Sequence, residues 1–270
     1  MTEEKTYRVE SGSTVDLEAW DANDTGEVAD KERGKALLKV ERDRIQAAQE
    51  RLYAEGKQSL LVIFQATDTG GKDGAIKGAF KGTNPQGIRV WSFGVPTPTE
   101  LAHDFLWRIH QRTPEHGMIA VFNRSHYEDV LVARVKDLVP EEQWRPRYDI
   151  INSFELGLHN HGTRVLKFYL HISKHEQKER LQARLDNPDK NWKFHASDLE
   201  DRELWDDYRA AYQEMLERCS TDHAPWYIIP ANKKWYRNLA VARIVADTLE
   251  EMDPKFPPAE NGLDKIEIGD

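Results

Sequence analysis

Five short apolar runs punctuate a polar chain, and each is followed by a stretch in which apolar residues recur at helical spacing. Leu60-Leu61-Val62-Ile63-Phe64 is unbroken, as a strand buried on both faces of a parallel sheet requires. Ile88 to Phe93, Met118 to Phe122, Val165 to Ile172 and Trp226 to Ile229 are the other four. Leu38, Ile45, Ala48 and Leu52 mark an amphipathic helix from Lys31 to Glu55, ended by Gly56. Further helices are predicted over about 73–81, from Thr97, and over about 127–138, 150–158, 174–185, 198–218 and 235–251. Thr97-Pro98-Thr99-Glu100 carries a capping Thr, Pro at the first helical position and Glu three residues on, a capping box. No period of 20–50 residues repeats, so solenoids and propellers drop out. Strands alternating with crossover-length helices predict an α/β fold: a doubly wound parallel sheet of about five strands with helices on both faces. Ligands bind beyond the carboxyl ends of such strands. The residues after Phe64, Phe93, Phe122, Ile172 and Ile229 are therefore the candidates for chemistry.

Composition narrows the class. The longest apolar run is far short of the ~20 residues a bilayer span needs. The N-terminus Met1-Thr2-Glu3-Glu4 has no secretory pattern, and the lone Cys219 has no partner for an internal disulfide. A cytoplasmic protein with no membrane partner is expected. The 38 Lys and Arg against 47 Asp and Glu leave a net charge of −9, which on its face disfavours a polyanionic substrate. Residues 1–34 and 247–270 are each net −6, however, so the body between them is mildly basic. The expected division is an acidic N-terminal extension over 1–30, a domain over 31–252 and an acidic tail over 253–270. The acidic ends read as solvated, partly mobile segments.

After the first strand comes Gln65-Ala66-Thr67-Asp68-Thr69-Gly70-Gly71-Lys72-Asp73-Gly74. Consecutive glycines let backbone N–H groups curl around an anion, the following helix adds its positive end, and Lys72 adds a full charge. The plain alternative is a glycine turn with a surface lysine. The loop departs from the common G-x-x-x-x-G-K-[ST] pattern at Ala66 and Asp73. Asp68, a carboxylate inside a phosphate cradle, reads as a Mg²⁺ ligand or as the base that prepares an acceptor phosphate.

The strand ending at Phe122 runs into Asn123-Arg124-Ser125-His126-Tyr127-Glu128-Asp129. Asn123 stands where a second metal-binding residue belongs, and Arg124 beside it offers a fork to phosphoryl oxygens. His126 reads as structural. Asp129 either caps a helix or completes a metal site. Farther on, Arg180 and Arg184 share a helical face, and Lys190 and Lys193 flank the turn Asp186-Asn187-Pro188-Asp189. This basic helix–turn–helix over about 174–205 has the position of a lid that closes over phosphates.

These three motifs, in this order, resemble the family-2 polyphosphate kinases over about residues 31–251. The resemblance implies a P-loop kinase fold similar to thymidylate kinase, with a helical lid. It also implies phosphoryl transfer between inorganic polyphosphate and nucleotides with Mg²⁺. The wording from Asn123 to Asp129 looks like the subgroup acting on both nucleoside monophosphates and diphosphates. Carried over, the resemblance makes Asp68, Lys72, Arg124 and Arg184 catalytic. The expected phosphate cradle is Thr69, Gly70, Gly71, Lys72, Asp73, Gly74, Lys77, Arg180, Lys190 and Lys193; the expected metal ligands are Asp68 with Asn123 or Asp129. The expected partners are inorganic polyphosphate, nucleoside mono- or diphosphates and a second copy of the chain, with no nucleic acid. An ATP-dependent nucleotide kinase and a non-catalytic polyanion-binding module are the rival readings.

Overall fold

The computed structural model describes residues 7–263 and 266–269. In chain order its elements are α1 (Lys31–Glu55), β1 (Ser59–Gln65), α2 (Lys72–Ala79), β2 (Ile88–Ser92), α3 (Pro98–Leu101), α4 (Trp107–His110) and β3 (Ile119–Asn123). There follow α5 (Val132–Val135), α6 (Glu141–Trp144), α7 (Arg147–Asn160), β4 (Thr163–His171), α8 (Lys174–Leu185), α9 (Ser197–Glu203), α10 (Trp205–Cys219), β5 (Trp226–Pro230) and α11 (Lys234–Met252). The strands form one all-parallel sheet in the order β2-β3-β1-β4-β5, as the doubly wound expectation required.

β1 is the middle strand and every one of its residues is buried, which is why its sequence is apolar throughout instead of alternating. Leu60, Val62 and Phe64 join a core with Ile45 and Leu52 of α1 and Leu239 and Val245 of α11. Leu61 and Ile63 point the other way, into a core with Ile151 of α7 and Met215 and Leu216 of α10. The chain leaves β1 toward the first core through Ala75 and Ile76, and leaves β3 toward the second through Tyr127 and Val130. Neighbouring strands whose continuations diverge to opposite faces open a crevice at their carboxyl ends.

Three expectations differ from the structure. The helix over 127–138 is broken: His126–Asp129 is a 3-10 turn, α5 covers one turn, and Asp137 sits at φ 49°. Tyr127, Val130 and Leu131 still reach one core and Ala133 is buried too, and this shared burial accounts for their helical spacing. The helix over 198–218 is divided at Leu204 into α9 and α10. Third, the acidic N-terminal segment is no loose tail over its described part. Val9 N donates to Trp226 O and Ile228 N donates to Tyr7 O, both at 2.8 Å, so residues 7–9 close the edge of β5. Val9, Val15 and Leu17 are buried while Glu18 pairs outward with Arg209. The acids at 3, 4, 264 and 270 lie outside the described residues. Among the described residues, no helix is long and apolar enough to cross a membrane.

Candidate functional site

Between β1 and α2 the chain turns tightly: Gly70 N donates to Thr67 O at 3.0 Å, Thr69 is held at φ 62° and Gly71 at φ 95°. A left-handed backbone at Gly71 suits a residue without Cβ. Gly71 caps α2 with no side-chain hydrogen bond, which leaves the first N–H groups of the helix without a side-chain cap. Lys72 folds back so that Nζ donates to Ala66 O at 3.0 Å. Burial, helped by the charge on Arg124, pushes the Lys72 pKa down to about 8 against the opposing pull of Asp68.

β3 lies beside β1 with Phe64 in register with Asn123, so the residues that follow each strand meet across the crevice. Arg124, at φ 62°, donates to Asp68 Oδ1 at 3.0 Å and to Glu128 Oε2 at 3.4 Å. One guanidinium thus ties together carboxylates from two loops. Asn123 Nδ2 donates to Asp73 Oδ1 at 2.6 Å, and Lys193 of the lid turn approaches Asp73 Oδ2 at 3.9 Å. Above them Arg184 donates to Lys193 O at 3.0 Å and to Asp198 Oδ2 at 3.4 Å, fastening the lid turn to α9. Burial, with a contribution from nearby Asp68, raises the Asp198 pKa. A cleft of about 280 Å³ runs between Asp68 and Arg124 on one side and Asp198 and Tyr208 on the other.

The structure therefore gathers Asp68, Thr69, Gly70, Gly71, Lys72, Asp73, Gly74, Asn123 and Arg124 at one place, with Lys193 and Arg184 adjoining from the lid. Lys77 and Lys190 are exposed farther out. Arg180 is a correction. All five of its N–H donors are spent on protein acceptors: Glu176 Oε1 at 2.7 Å, Thr69 O at 2.9 Å, Gly70 O at 3.2 Å, Ala231 O at 2.6 Å and Asn232 O at 3.0 Å. It holds the loop's carbonyls from below and has no donor left for phosphate. Asp129 stands apart from Asp68: Arg147 holds its carboxylate at 3.3 Å, and burial raises its pKa to about 6.

Mg²⁺ asks for one or two carboxylates and takes the rest of its octahedron from water and substrate oxygens. Among the described residues no group of three or more His, Cys, Asp or Glu forms a ready-made cage. Asp68 and Glu128, converging on Arg124 at the crevice, fit such a partial donor set.

Glu128 was passed over in the sequence because it reads as one more acid in a helix start. Arg237 was also passed over. It is 3% exposed, lies against Gly71 and Gly74, and has its pKa pushed down to about 10 by burial and by Arg180. The signal available was the glycine spacing in α2, which asks for a close neighbour.

Strand, glycine loop, helix N-terminus and an arginine from the adjacent strand end define the class: a doubly wound α/β phosphotransferase. The chain belongs to the polyphosphate kinase 2 family, whose model, described as "Polyphosphate kinase 2", matches residues 28–257. It is 52% identical over 265 residues to the AMP/ADP-polyphosphate phosphotransferase of Meiothermus ruber, covering 98% of this chain and 99% of that one. It is 44% identical to the ADP-polyphosphate phosphotransferase of Rhodopseudomonas palustris, covering 94% and 92%. The crystal structure of polyphosphate kinase 2 from Arthrobacter aurescens TC1 superposes with a TM-score of 0.92 at 43% identity, covering 95% of this chain and 93% of that one.

Proposed function

We propose that this enzyme transfers phosphoryl groups between inorganic polyphosphate and AMP or ADP, with the reaction centred where Asp68 meets Arg124. The observation that carries the reading is that 3.0 Å ion pair, placed at the mouth of the glycine loop and on the wall of the cleft under the lid. In the forward direction a terminal P–O–P bond of the polymer breaks and a P–O bond to the nucleotide's terminal phosphate forms. The α2 N–H groups and Lys72 hold phosphate oxygens, and Arg124 neutralises charge on the transferred group. Arg184 and Lys193 fix the lid turn, which excludes water from the transfer. Asp68 and Glu128 would hold Mg²⁺, which when bound would supply charge neutralisation at the reacting phosphates. AMP as well as ADP is included because the Meiothermus ruber relative is named for both. A homo-oligomer belongs to the same proposal; a monomer in sedimentation at micromolar concentration would remove it.

The test is incubation of the pure protein with ADP or AMP, Mg²⁺ and long-chain polyphosphate. Formation of the next higher nucleotide only when polymer is present is expected. Phosphorylation that needs ATP and ignores the polymer would replace this reading with an ATP-dependent nucleotide kinase.

A further inference from the structure

Arg237 and Arg180 are buried to similar depth, with 3% and 8% of their surface exposed, but they are paired very differently. Arg180 meets five acceptors, one of them the Glu176 carboxylate at 2.7 Å. Arg237 donates from Nε and Nη2 to a single neutral oxygen, Asn238 Oδ1, at 3.1 and 2.8 Å. The charge that acts on it is the like charge of Arg180. A buried guanidinium without a counter-charge costs folding free energy. Its placement is specific: Nη1 lies against Gly71 and Nη2 against Gly74, so closely that a Cβ on either glycine would collide with it. These glycines begin α2, and Thr69 beside them keeps its Oγ1 buried without any hydrogen-bond partner. Lys234, one turn earlier on α11, is in the same crowd of cations, its pKa lowered by burial and by Arg180, Arg237 and Lys190, with Glu176 as the opposing acid.

We propose that Arg237 is a positioning residue of the phosphate site, its guanidinium left unpaired behind Gly71 and Gly74 so that a phosphate chain bound at the α2 N-terminus supplies the counter-charge. This rests on the reading that the loop from Asp68 to Gly74 takes phosphate, and it adds a role from α11, an element outside the loop, strand-end and lid motifs. Arg237 acts through the first turn of α2: from the space that the two glycines leave, it raises the positive potential behind the loop amides. The ligand-free protein bears the cost of the unpaired charge, and binding removes it.

A structural arginine and a charge-compensating one differ in the sign of what their loss does to the free protein. The experiment compares wild type, R237Q and R237K by thermal unfolding and by calorimetric titration with inorganic tripolyphosphate, at low and high salt and without nucleotide. R237Q is expected to unfold at or above the wild-type temperature in the absence of ligand and to bind tripolyphosphate about tenfold more weakly, with a shallower salt dependence. R237K keeps the charge and is expected to recover most of the affinity. Tripolyphosphate affinity of R237Q within twofold of wild type would overturn the proposal. So would an R237Q protein that fails to fold or unfolds well below wild type, because the side chain would then be a structural tie. Absence of polymer-dependent nucleotide phosphorylation in the wild type would count against the proposed activity, while the tripolyphosphate titration reads the site itself.

Discussion

Two lysines, Lys72 at the start of α2 and Lys167 in β4, are half-buried and fully buried respectively, and their surroundings are opposite in kind. Lys167, in β4, is fully buried and gives its three protons to Glu155 Oε2 at 2.5 Å, Tyr127 Oη at 2.8 Å and Cys219 O at 2.6 Å. Glu155 Oε1 in turn accepts from Tyr127 at 2.8 Å and from His126 Nε2 at 3.2 Å. Although burial pushes the Glu155 carboxyl up, Lys167 and His126 hold it below its usual range, and burial keeps His126 below its own. Its charges are all paired, although His126 Nδ1 is buried without a hydrogen-bond partner; the network fixes the 3-10 turn behind Arg124 and offers little to a ligand. Lys72 has one hydrogen-bond acceptor, Ala66 O, and burial and the charge on Arg124 depress its pKa against the pull of Asp68, Glu128 and Asp73. Satisfied buried charges hold the fold together; unsatisfied ones at the crevice are where substrate anions belong.

The largest expected effect separates these two lysines directly. Lys72→Ala should lower kcat/KM by about a thousandfold or more while leaving the unfolding temperature within a few degrees. Lys167→Met should do the reverse, because removing one member of a buried ion pair strands the other. It should cost about 3–5 kcal/mol, seen in urea unfolding, with kcat of the folded fraction within about threefold of wild type. If Lys167→Met abolishes turnover without loss of stability, the contrast is wrong.

Arg180→Met sharpens the comparison, since Arg180 is a satisfied charge next to the site. It should destabilise by roughly 2–3 kcal/mol and also raise the KM for polyphosphate, because the carbonyls of Thr69 and Gly70 lose their anchor. A KM effect without any stability change would place its guanidinium on substrate instead.

The next test is pH. Lys72 titrates near 8 when folded and near its ordinary 10.5 when unfolded, so between these values the unfolded chain binds more protons and the Lys72 contribution to stability rises with pH. Polyphosphate binding should move oppositely, weakening from pH 7 to 9.5 as the ammonium is lost. Parallel titrations of unfolding and of KM check the two signs, and Lys72→Met should flatten both.

The smallest effect concerns the exposed C-terminal end. Residues 256–270 carry four acids and one base, and those described up to 263 are exposed. Truncation after Lys255 should leave stability nearly unchanged and strengthen polyphosphate binding less than threefold at low salt, with the gain gone at high salt.

Much of this organisation was legible in sequence because it rests on local chemistry. The β1 run, the glycine loop, Arg124 after β3 and the capping box at Thr97 each follow from backbone and side-chain preferences within a few residues. What escaped depends on rotation and long-range pairing. Arg180 and Arg184 share a helical face by spacing, but only packing against Ala231 and Asn232 decides that the first turns inward as a strut. Asp129 is one residue from Glu128, and the 3-10 turn sends it to Arg147 while Glu128 goes to Arg124. Arg237 reads as an ordinary charge in an amphipathic helix until α11 is laid on the glycines of α2. The N-terminal acids hid Tyr7, Val9, Val15 and Leu17, whose burial requires the edge of β5 and the helices beside it.

The central distinction between closed and open buried charges is tested most directly by thermal unfolding of wild type, Lys167→Met and Lys72→Met, each with and without tripolyphosphate. Without ligand, Lys72→Met is expected to unfold at or above wild type and Lys167→Met far below it; with ligand, Lys72→Met should lose most of the stabilisation that wild type gains. A ligand-free Lys72→Met protein that falls as far as Lys167→Met and still gains the full ligand stabilisation would contradict the account.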